Sequence, residues 1–264
     1  MDYQHLEIET QHQVATIWIN RPEVHNAFNN DVIEELSTCF KSFNDCADVR
    51  VIILAGRGKN FSAGADLNWM KQAGQASTQE NETDALKLAQ MFENLANLKQ
   101  PTIARVQGIA LGGGMGLAAT CDICIASNDA QFATSEVRLG LAPSTISPYV
   151  IRAIGARQAS RFFLTAERIK AEQAQQIGLV HEICTLPELD QKINSIVQAL
   201  LLGAPFAQTA SKQLIQQVAD KELTSELQRY TAQHIAHIRQ GTEAKAGLTA
   251  FLTKQSPPWI HTTQ

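Results

Sequence analysis

Two glycine-containing segments and one glutamate are the residues of this sequence that could do chemistry together. The segments are FSAGAD at 61–66 and LGGGMG at 111–116, and each follows an apolar stretch and precedes a helical pattern. Neither has a lysine beside its glycines or a known phosphate-loop spacing. Bare N–H groups can stabilise a negative oxygen that develops in a transition state. The segments therefore predict an oxyanion hole with one N–H from each, although a glycine triplet also suits close helix packing.

Glu136, in FATSEVRLGLAPS, is the candidate acid/base. Apolar residues flank it, and a partly desolvated carboxylate has the raised pKa that proton transfer near neutral pH requires. The alternative is an ordinary surface carboxylate paired with the nearby Arg138, since charged residues are mostly exposed.

The elements that must position these residues follow from apolar patterning. Continuous or β-branched runs predict strands at 14–19, 49–56, 101–110, 121–127 and 130–137. Helical spacing predicts one helix over 31–43, capped by Asn29 or Asn30, and a second over 82–98, with Leu86, Met91, Leu95 and Leu98 on its apolar face.

Strands that alternate with helices indicate a mainly parallel α/β core, in which the loops at the carboxyl ends of the strands gather around a ligand. From Ser147 onward the pattern is helical, except for a strand predicted at 179–185. The carboxyl-terminal third therefore reads as a helical region integrated with the core.

Composition narrows the function classes. The chain has 264 residues and a formal net charge of −4, so neither nucleic acid nor an anionic membrane is an expected partner. The amino terminus is acidic where an export signal would be basic, and no run is apolar enough to span a membrane, which predicts a cytoplasmic protein. Five cysteines include one C-x-x-C pair, Cys121 and Cys124; buried free thiols are favoured over a zinc or redox pair, and no metal is expected.

Several strings in a fixed order resemble the crotonase, or enoyl-CoA hydratase/isomerase, superfamily. They cover nearly the whole chain: NRPEVHNAF, FSAGADL, GIALGGGMGLAATCDICIAS, EVRLGLAPS, LTAERIKAEQAQQIGLVHEI and FLTKQSPPW. The resemblance implies an α/β fold with a crotonase-like spiral of ββα units over residues 1–195. It also implies a helical region over 196–264 that builds homotrimers, often paired into hexamers.

The resemblance assigns roles to named residues. The N–H groups of Ala65 and Gly113, with Gly112 beside them, would hold the thioester oxygen of an acyl-CoA, and Glu136 would transfer protons. Residues expected to contact the coenzyme A part are Glu23, Val24, the Ala63 carbonyl, Asp66, Leu67 and, from the tail of this or a neighbouring subunit, Phe251 and Lys254. No cofactor is implied beyond the coenzyme A carried by the substrate.

One departure from the family pattern bears on the reaction. Hydratases of the superfamily carry two glutamates, and the first of these positions holds Gly116 here. The strings FSAGADLNWM and VRLGLAPSTISPYVIRAIGARQASRFFLTAER look most like bacterial methylglutaconyl-CoA hydratases of leucine degradation and the related carboxygeranoyl-CoA hydratases. Hydration of 3-methylglutaconyl-CoA is therefore the leading hypothesis, ahead of double-bond isomerisation by Glu136 alone and of a relative that binds RNA.

A second departure is APSTISPY, where many relatives have a glycine-rich turn. Ser144 and Thr145 either contact the acyl group or cap the following helix, and capping is favoured because serine and threonine commonly do so. A distal substrate carboxylate would need a cation or hydroxyl, for which Arg138, Ser144 and Lys71 are the candidates.

Overall fold

The fold is known from a computed structural model that describes residues 3–260. Its strands are β1 (Leu6–Gln11), β2 (Val14–Ile19), β3 (Val51–Gly56), β4 (Thr102–Val106), β5 (Ile109–Leu111), β6 (Ile123–Ser127), β7 (Gln131–Ala133), β8 (Ile169–Lys170) and β9 (Glu182–Cys184). One sheet has the order β1-β2-β3-β4-β6-β9, and a smaller one has the order β5-β7-β8. In the larger sheet only β1 runs antiparallel to its neighbour. The mainly parallel core predicted from the sequence is confirmed.

Helices cover both faces of the larger sheet and make up most of the carboxyl-terminal third. They are α1 (Asn30–Phe43), α2 (Leu67–Ala73), α3 (Thr78–Ala96), α4 (Gly113–Thr120), α5 (Ser147–Thr165), α6 (Ala171–Gln176), α7 (Leu189–Leu201), α8 (Pro205–Val218), α9 (Ser225–Gln240) and α10 (Thr242–Thr253). Helix α1 begins directly after one of its two predicted caps, Asn29, whose side chain accepts a hydrogen bond from the Val32 N–H.

The core lies on both sides of β3, in which every residue is buried. On one face, Ile52 and Leu54 pack with α1, α3 and α4; on the other, Val51 and Ile53 pack against α7. Burying each such side chain contributes about 1.5–3 kcal/mol. This two-sided burial explains why the strand reads as a continuous apolar run.

The structure corrects three predicted elements. Helix α3 ends at Ala96, before Leu98, and leaves Leu86 64% exposed, so Leu86 is not part of its apolar face. The strand predicted at 130–137 is only β7, after which the chain turns into a 3-10 helix at Glu136–Leu139. The strand predicted at 179–185 shrinks to the three residues of β9.

The carboxyl-terminal helices are less buried than the core. The predicted boundary between residues 195 and 196 falls inside α7, so the chain has no break there. Helix α9 has no buried residue, and Leu248, Phe251 and Leu252 of α10 are all more than half exposed. Within residues 3–260 no helix is both long and apolar enough to cross a membrane.

Candidate active site

The two glycine-containing loops lie against each other. Ser62 donates its N–H to the Ile109 carbonyl at 3.0 Å, and the Ser62 carbonyl accepts from the Leu111 N–H at 2.9 Å. Gly64 has φ +86°, and a Cβ at that position would lie 2.6 Å from the Leu111 carbonyl oxygen and 3.4 Å from the Gly113 nitrogen. The loops can therefore approach this closely only because residue 64 has no side chain.

The N–H groups of Ala65 and Gly113 have no partner among residues 3–260. On one loop the neighbouring groups are used, since Phe28 donates to the Gly64 carbonyl at 2.7 Å and accepts from the Asp66 N–H at 2.7 Å. On the other, Gly113 is the first residue of α4, where an N–H lacks an intrahelical acceptor. Two backbone donors on loops that contact each other are thus without a partner in residues 3–260.

The glycine triplet is explained by close contacts at the start of α4. A Cβ at Gly113 would lie 2.6 Å from Phe28 Cε2, and one at Gly114 would lie 2.5 Å from the Ser62 carbonyl oxygen. Both contacts are with residues that hold the first loop. The glycine triplet therefore allows helix α4 to pack closely against that loop. Close packing and the predicted oxyanion-hole N–H are compatible, because both involve Gly113.

Glu136 projects its carboxylate against the N-cap of α4. Its Oε1 lies 3.2 Å from the position a Cβ would take at Gly112, the neighbour of Gly113. Its Oε2 is buried and has no hydrogen-bond partner in residues 3–260. Burial raises the pKa of the Glu136 carboxyl above its ordinary value, and a backbone hydrogen bond partly opposes this. Arg138 is exposed and forms no ion pair with it within the described chain, so the surface-pair alternative is wrong.

Gly116 lies one helical turn after Gly112, on the same face of α4. A Cβ at Gly116 would overlap Ile146 Cγ2 and lie 3.0 Å from Phe92 Cζ. Ile146 is 2% exposed and Phe92 is fully buried. The space beside residue 116, where the family pattern predicts the first of two glutamates, is therefore filled by apolar side chains.

Sequence reasoning missed Asn26, which ties the site loops together. Asn26 is fully buried; its Nδ2 donates to the carbonyls of Arg57 at 2.9 Å and Asn60 at 2.8 Å, and its Oδ1 accepts from the Arg21 N–H at 2.9 Å. Its own carbonyl accepts from the Ser62 hydroxyl at 2.7 Å. The sequence signal was an asparagine in a proline-containing loop, since Asn26 adopts φ +57°, which asparagine tolerates well.

Asp66 has two partners within the protein. Its Oδ1 accepts from the Asn68 N–H at 2.9 Å, which caps α2, and its Oδ2 lies 3.3 Å from Arg21 Nη2. Arg21 also donates Nη1 to the Ala27 carbonyl at 2.6 Å. The carboxylate of Asp66, which is 8% exposed, therefore orients the loop that carries Ala65.

The other residues predicted to contact coenzyme A surround the same loop. The Ala63 carbonyl accepts no hydrogen bond within residues 3–260, and Leu67 at the start of α2 is 82% exposed. Glu23 is exposed and Val24 is half-buried in a 3-10 helix, Pro22–Val24. These four positions offer one carbonyl without a partner in residues 3–260 and accessible side chains on the same loops as, or next to, the Ala65 N–H.

Phe251 and Lys254 are not brought to the site by the single chain. They lie at the end of α10, which packs mainly against α8 and α9. Phe251 is 80% exposed and Lys254 is also exposed.

The predicted helix cap at Ser144 or Thr145 is wrong. Helix α5 begins at Ser147 after Ile146, and no side chain caps it. The Ser144 hydroxyl points back to the Ala142 carbonyl at 3.5 Å, while the Ser144 carbonyl accepts from the Ser147 N–H and hydroxyl. Packing of Ile146 against α4 fixes where this helix starts, and Ser144 stays exposed.

The C-x-x-C pair is part of the core. Cys121 and Cys124 are buried free thiols, and burial raises the pKa of Cys124 to about 12. The Cys124 N–H donates to His181 Nδ1 at 3.1 Å. Within residues 3–260, His, Cys, Asp and Glu form no group of three or more that could hold a metal ion. Cys46 and Cys184, by contrast, are only half-buried.

The enoyl-CoA hydratase/isomerase family model matches residues 9–262. The chain belongs to this family. The crystal structure of an enoyl-CoA hydratase from Shewanella pealeana is similar with a TM-score of 0.94 at 38% identity, covering 97% of this chain and 96% of that one. The short-chain-enoyl-CoA hydratase of Clostridium acetobutylicum is 33% identical over 257 residues, 97% of each chain.

A third relative is named for a different acyl group. The 2,3-dehydroadipyl-CoA hydratase of Escherichia coli is 31% identical over 254 residues, 96% of this chain and 97% of the relative. The crotonase fold expected from the sequence is confirmed by these likenesses. This member of the enoyl-CoA hydratase/isomerase family is therefore an enzyme. The names of its relatives support hydration of enoyl-CoA thioesters at the level of the family.

Proposed function

We propose that the enzyme adds water across the double bond of a 2-enoyl-CoA, with 3-methylglutaconyl-CoA as its substrate. The observation that carries the proposal is the Glu136 carboxylate against Gly112, with Oε2 buried and unbonded, next to the free N–H of Gly113. An acid/base carboxylate close to an oxyanion donor is what proton transfer at C2 of a thioester requires.

The two backbone donors act on the thioester oxygen. As the oxygen of water bonds to C3, the π electrons of the double bond move toward C2 and the carbonyl, leaving negative charge on the thioester oxygen. The N–H groups of Ala65 and Gly113 would stabilise this enolate more than the uncharged substrate, which lowers the barrier. The reaction then needs no cofactor beyond the coenzyme A of the substrate.

Glu136 would carry out both proton transfers. Its carboxylate takes a proton from water as the C3–O bond forms, and the resulting acid gives that proton to C2 as the enolate returns to the thioester. Both new bonds then form on the same face of the substrate. Because Ile146 and Phe92 occupy the space beside Gly116, no second acid shares this work at that position.

The choice of acyl group rests on the sequence strings FSAGADLNWM and VRLGLAPSTISPY. A relative that is named for 2,3-dehydroadipyl-CoA is consistent with a substrate bearing a distal carboxylate. Arg138, Lys71 and Ser144 are all exposed, and each stays a candidate to bind that carboxylate. Carboxygeranoyl-CoA is the alternative substrate of the same chemical type.

A spectrophotometric assay tests the proposal. Purified enzyme with 3-methylglutaconyl-CoA should consume the conjugated thioester absorbance, faster than with crotonyl-CoA at equal concentration, and Glu136→Gln should abolish the loss. A preference for crotonyl-CoA would reject the proposed acyl group, and no loss with either substrate would reject hydration.

Isomerisation is a second candidate because Gly116 leaves a single acid, which suffices to move a proton between two carbons. The test is a 3-enoyl-CoA supplied in water enriched in heavy oxygen. Conversion to the 2-enoyl product without isotope in any product would identify an isomerase. The matched 2-enoyl-CoA is assayed in the same water, and isotope in the C3 hydroxyl of its product would identify hydration, because only this substrate has the conjugated double bond to which water adds.

We also propose that the enzyme assembles as a homotrimer, or as a hexamer of two trimers, in which Phe251 and Lys254 of a neighbouring copy reach coenzyme A. Exposed Leu248, Phe251 and Leu252 on α10 support this, since a monomer would leave that apolar face in water. Sedimentation velocity measures the assembly, and Phe251→Glu should release monomers and raise KM for the acyl-CoA.

A further inference from the structure

An open cavity lies at the opposite end of the sheet from the candidate active site. It has a volume of about 510 Å³ and is lined by the chain after α1, the start of β3, residues 99–101 before β4, and the start of α8. The active-site loops follow the carboxyl ends of the strands, whereas this cavity adjoins their amino ends. The six residues of β3 separate the two by roughly 20 Å.

Arg50 is the buried cation of this cavity. The residue is 7% exposed, and its Nη2 donates to the Gly203 carbonyl at 2.6 Å and to Gln208 Oε1 at 3.3 Å. Its Nε and Nη1 donate no hydrogen bond to residues 3–260, and no carboxylate of those residues lies within ion-pair distance. A buried guanidinium is normally paired, because removing it from water is costly.

The nearby acidic groups do not supply that pair. Glu243 lies close enough to favour the charged form of Arg50, but its two oxygens accept from the N–H groups of Phe206 and Ala207 at 3.0 and 2.9 Å. Asp45 on the cavity wall is exposed to solvent. Within residues 3–260, Nε and Nη1 of Arg50 therefore have no carboxylate partner.

The cavity walls indicate what kind of anion fits. Val49, Pro101, Pro205 and Phe206 provide apolar surface, and the volume is within the range of small-molecule sites. Gln100 is 8% exposed; its Nε2 donates to the Phe43 and Cys46 carbonyls and its Oε1 has no partner within the described residues. The walls are mixed, since Lys99 and Thr209 also line the cavity, but Lys99 is exposed and its Nζ donates to the Asn44 carbonyl at 2.8 Å. Arg50 is therefore the buried cation beside the apolar wall, and a guanidinium next to apolar surface suits a carboxylate on a short hydrocarbon chain.

We propose that this cavity binds a small organic carboxylate, with the carboxylate on the Nε and Nη1 edge of Arg50 and the hydrocarbon against Val49, Pro205 and Phe206. The site is separate from the candidate active site, so the inference does not depend on the proposed reaction. Bound acid neutralises a buried charge at the junction of β3 with α8 and so stabilises the folded chain.

Sodium butyrate is the probe, with butyramide as the neutral match and inorganic phosphate as the anion without hydrocarbon. In the full-length protein at constant ionic strength, butyrate should raise Tm saturably and give a single-site calorimetric isotherm, and the other two should do neither. Arg50→Met, which keeps the apolar stem, should remove the shift.

Phe206→Ala is the second variant, because Phe206 is half-exposed and its truncation should not prevent folding. It should weaken butyrate binding at least threefold while crotonyl-CoA turnover stays at the wild-type value. The proposal is overturned if butyrate gives no saturable shift in Tm, or if butyramide or phosphate gives the same shift as butyrate. It is also overturned if Arg50→Met and Phe206→Ala both fold and both bind butyrate as tightly as the wild type does. Should Arg50→Met not fold, the Phe206→Ala isotherm decides alone.

Discussion

Ile146 occupies the space that any side chain at residue 116 would need: a Cβ at Gly116 would overlap Ile146 Cγ2. Both residues are buried, one at the first turns of α4 and the other just before α5. The packing of these two helices thus excludes a second acid at residue 116, and in the proposed mechanism Glu136 moves the protons without one there.

Replacing Gly116 with alanine should destabilise the enzyme by about 1–2 kcal/mol. Alanine gains about 1 kcal/mol of helix propensity, but forcing a methyl into a filled core costs about 1–3 kcal/mol, and here the fixed neighbours Ile146 and Phe92 make the cost the larger effect. Urea unfolding measures the change.

Gly74→Ala is the matched control, since Gly74 has φ −66° and its nearest atoms would be 3.5 Å from the new Cβ. It should be neutral or stabilising. A further check is the Gly116→Ala, Ile146→Ala double variant, in which the alanine at 116 should cost less than it does alone. Equal costs in the two backgrounds would contradict the packing explanation.

Gly64→Ala should lower kcat about 100-fold, because the new methyl would push the Leu111 carbonyl away and separate the Ala65 and Gly113 donors by a fraction of an ångström or more. Gly155→Ala is the control: Gly155 also has a positive φ, +73°, with no atom within 4 Å, so alanine there carries backbone strain of about 1–3 kcal/mol without a clash. Steady-state kinetics on an enoyl-CoA compares them. Equal losses of kcat would mean that strain, and not the loop contact, is responsible.

Glu136→Gln should reduce kcat by about 10²–10⁴-fold, the usual contribution of a positioned acid/base. Since burial raises the pKa of Glu136 and the carboxylate form is the base, kcat/KM of the wild type should fall as pH decreases through a pKa above the ordinary 4.5. Initial rates across pH 4.5–8 measure this. A wild-type profile that stays flat down to pH 4.5 would disagree with a desolvated base.

The raised pKa of Glu136 also predicts how the stability of the folded enzyme depends on pH. A carboxyl whose pKa is raised by folding binds more protons in the folded than in the unfolded state between pH 4.5 and the raised value, so stability decreases as pH rises through that window. At pH 7.5 Glu136→Gln should therefore unfold at higher urea than the wild type, and the difference should narrow toward pH 5. A constant difference at both pH values would argue against it.

Asn26→Ala should destabilise the enzyme by about 3–5 kcal/mol, because it leaves the buried carbonyls of Arg57 and Asn60 and the Arg21 N–H without a partner. Asn29→Ala, which removes a single capping bond to Val32, should cost about 1 kcal/mol. Urea midpoints of the two variants check the ratio. Similar midpoints would show that Asn26 is not the anchor of the loops.

Features set by near neighbours in the chain were predictable. The spacing of Ile33, Leu36 and Phe40 and the Asn29 cap define α1, and the unbroken apolar run at 51–56 defines a doubly covered strand. These depend on hydrogen bonds and periodicities within a few residues. Where the pattern was short, it failed: Leu86 fits a helical spacing but faces solvent.

By itself, the sequence determined the α/β alternation, the two glycine loops and the family to which the chain belongs, and it made Glu136 the candidate acid. Tertiary structure decided that Gly64 meets Leu111, that Ile146 fills the space at Gly116, that the Glu136 Oε2 is buried without a partner in residues 3–260, and that Arg50 lines a cavity at the amino ends of the strands. The reason is physical: each of these contacts joins residues remote in the chain, and their distances are set by how whole helices and strands pack.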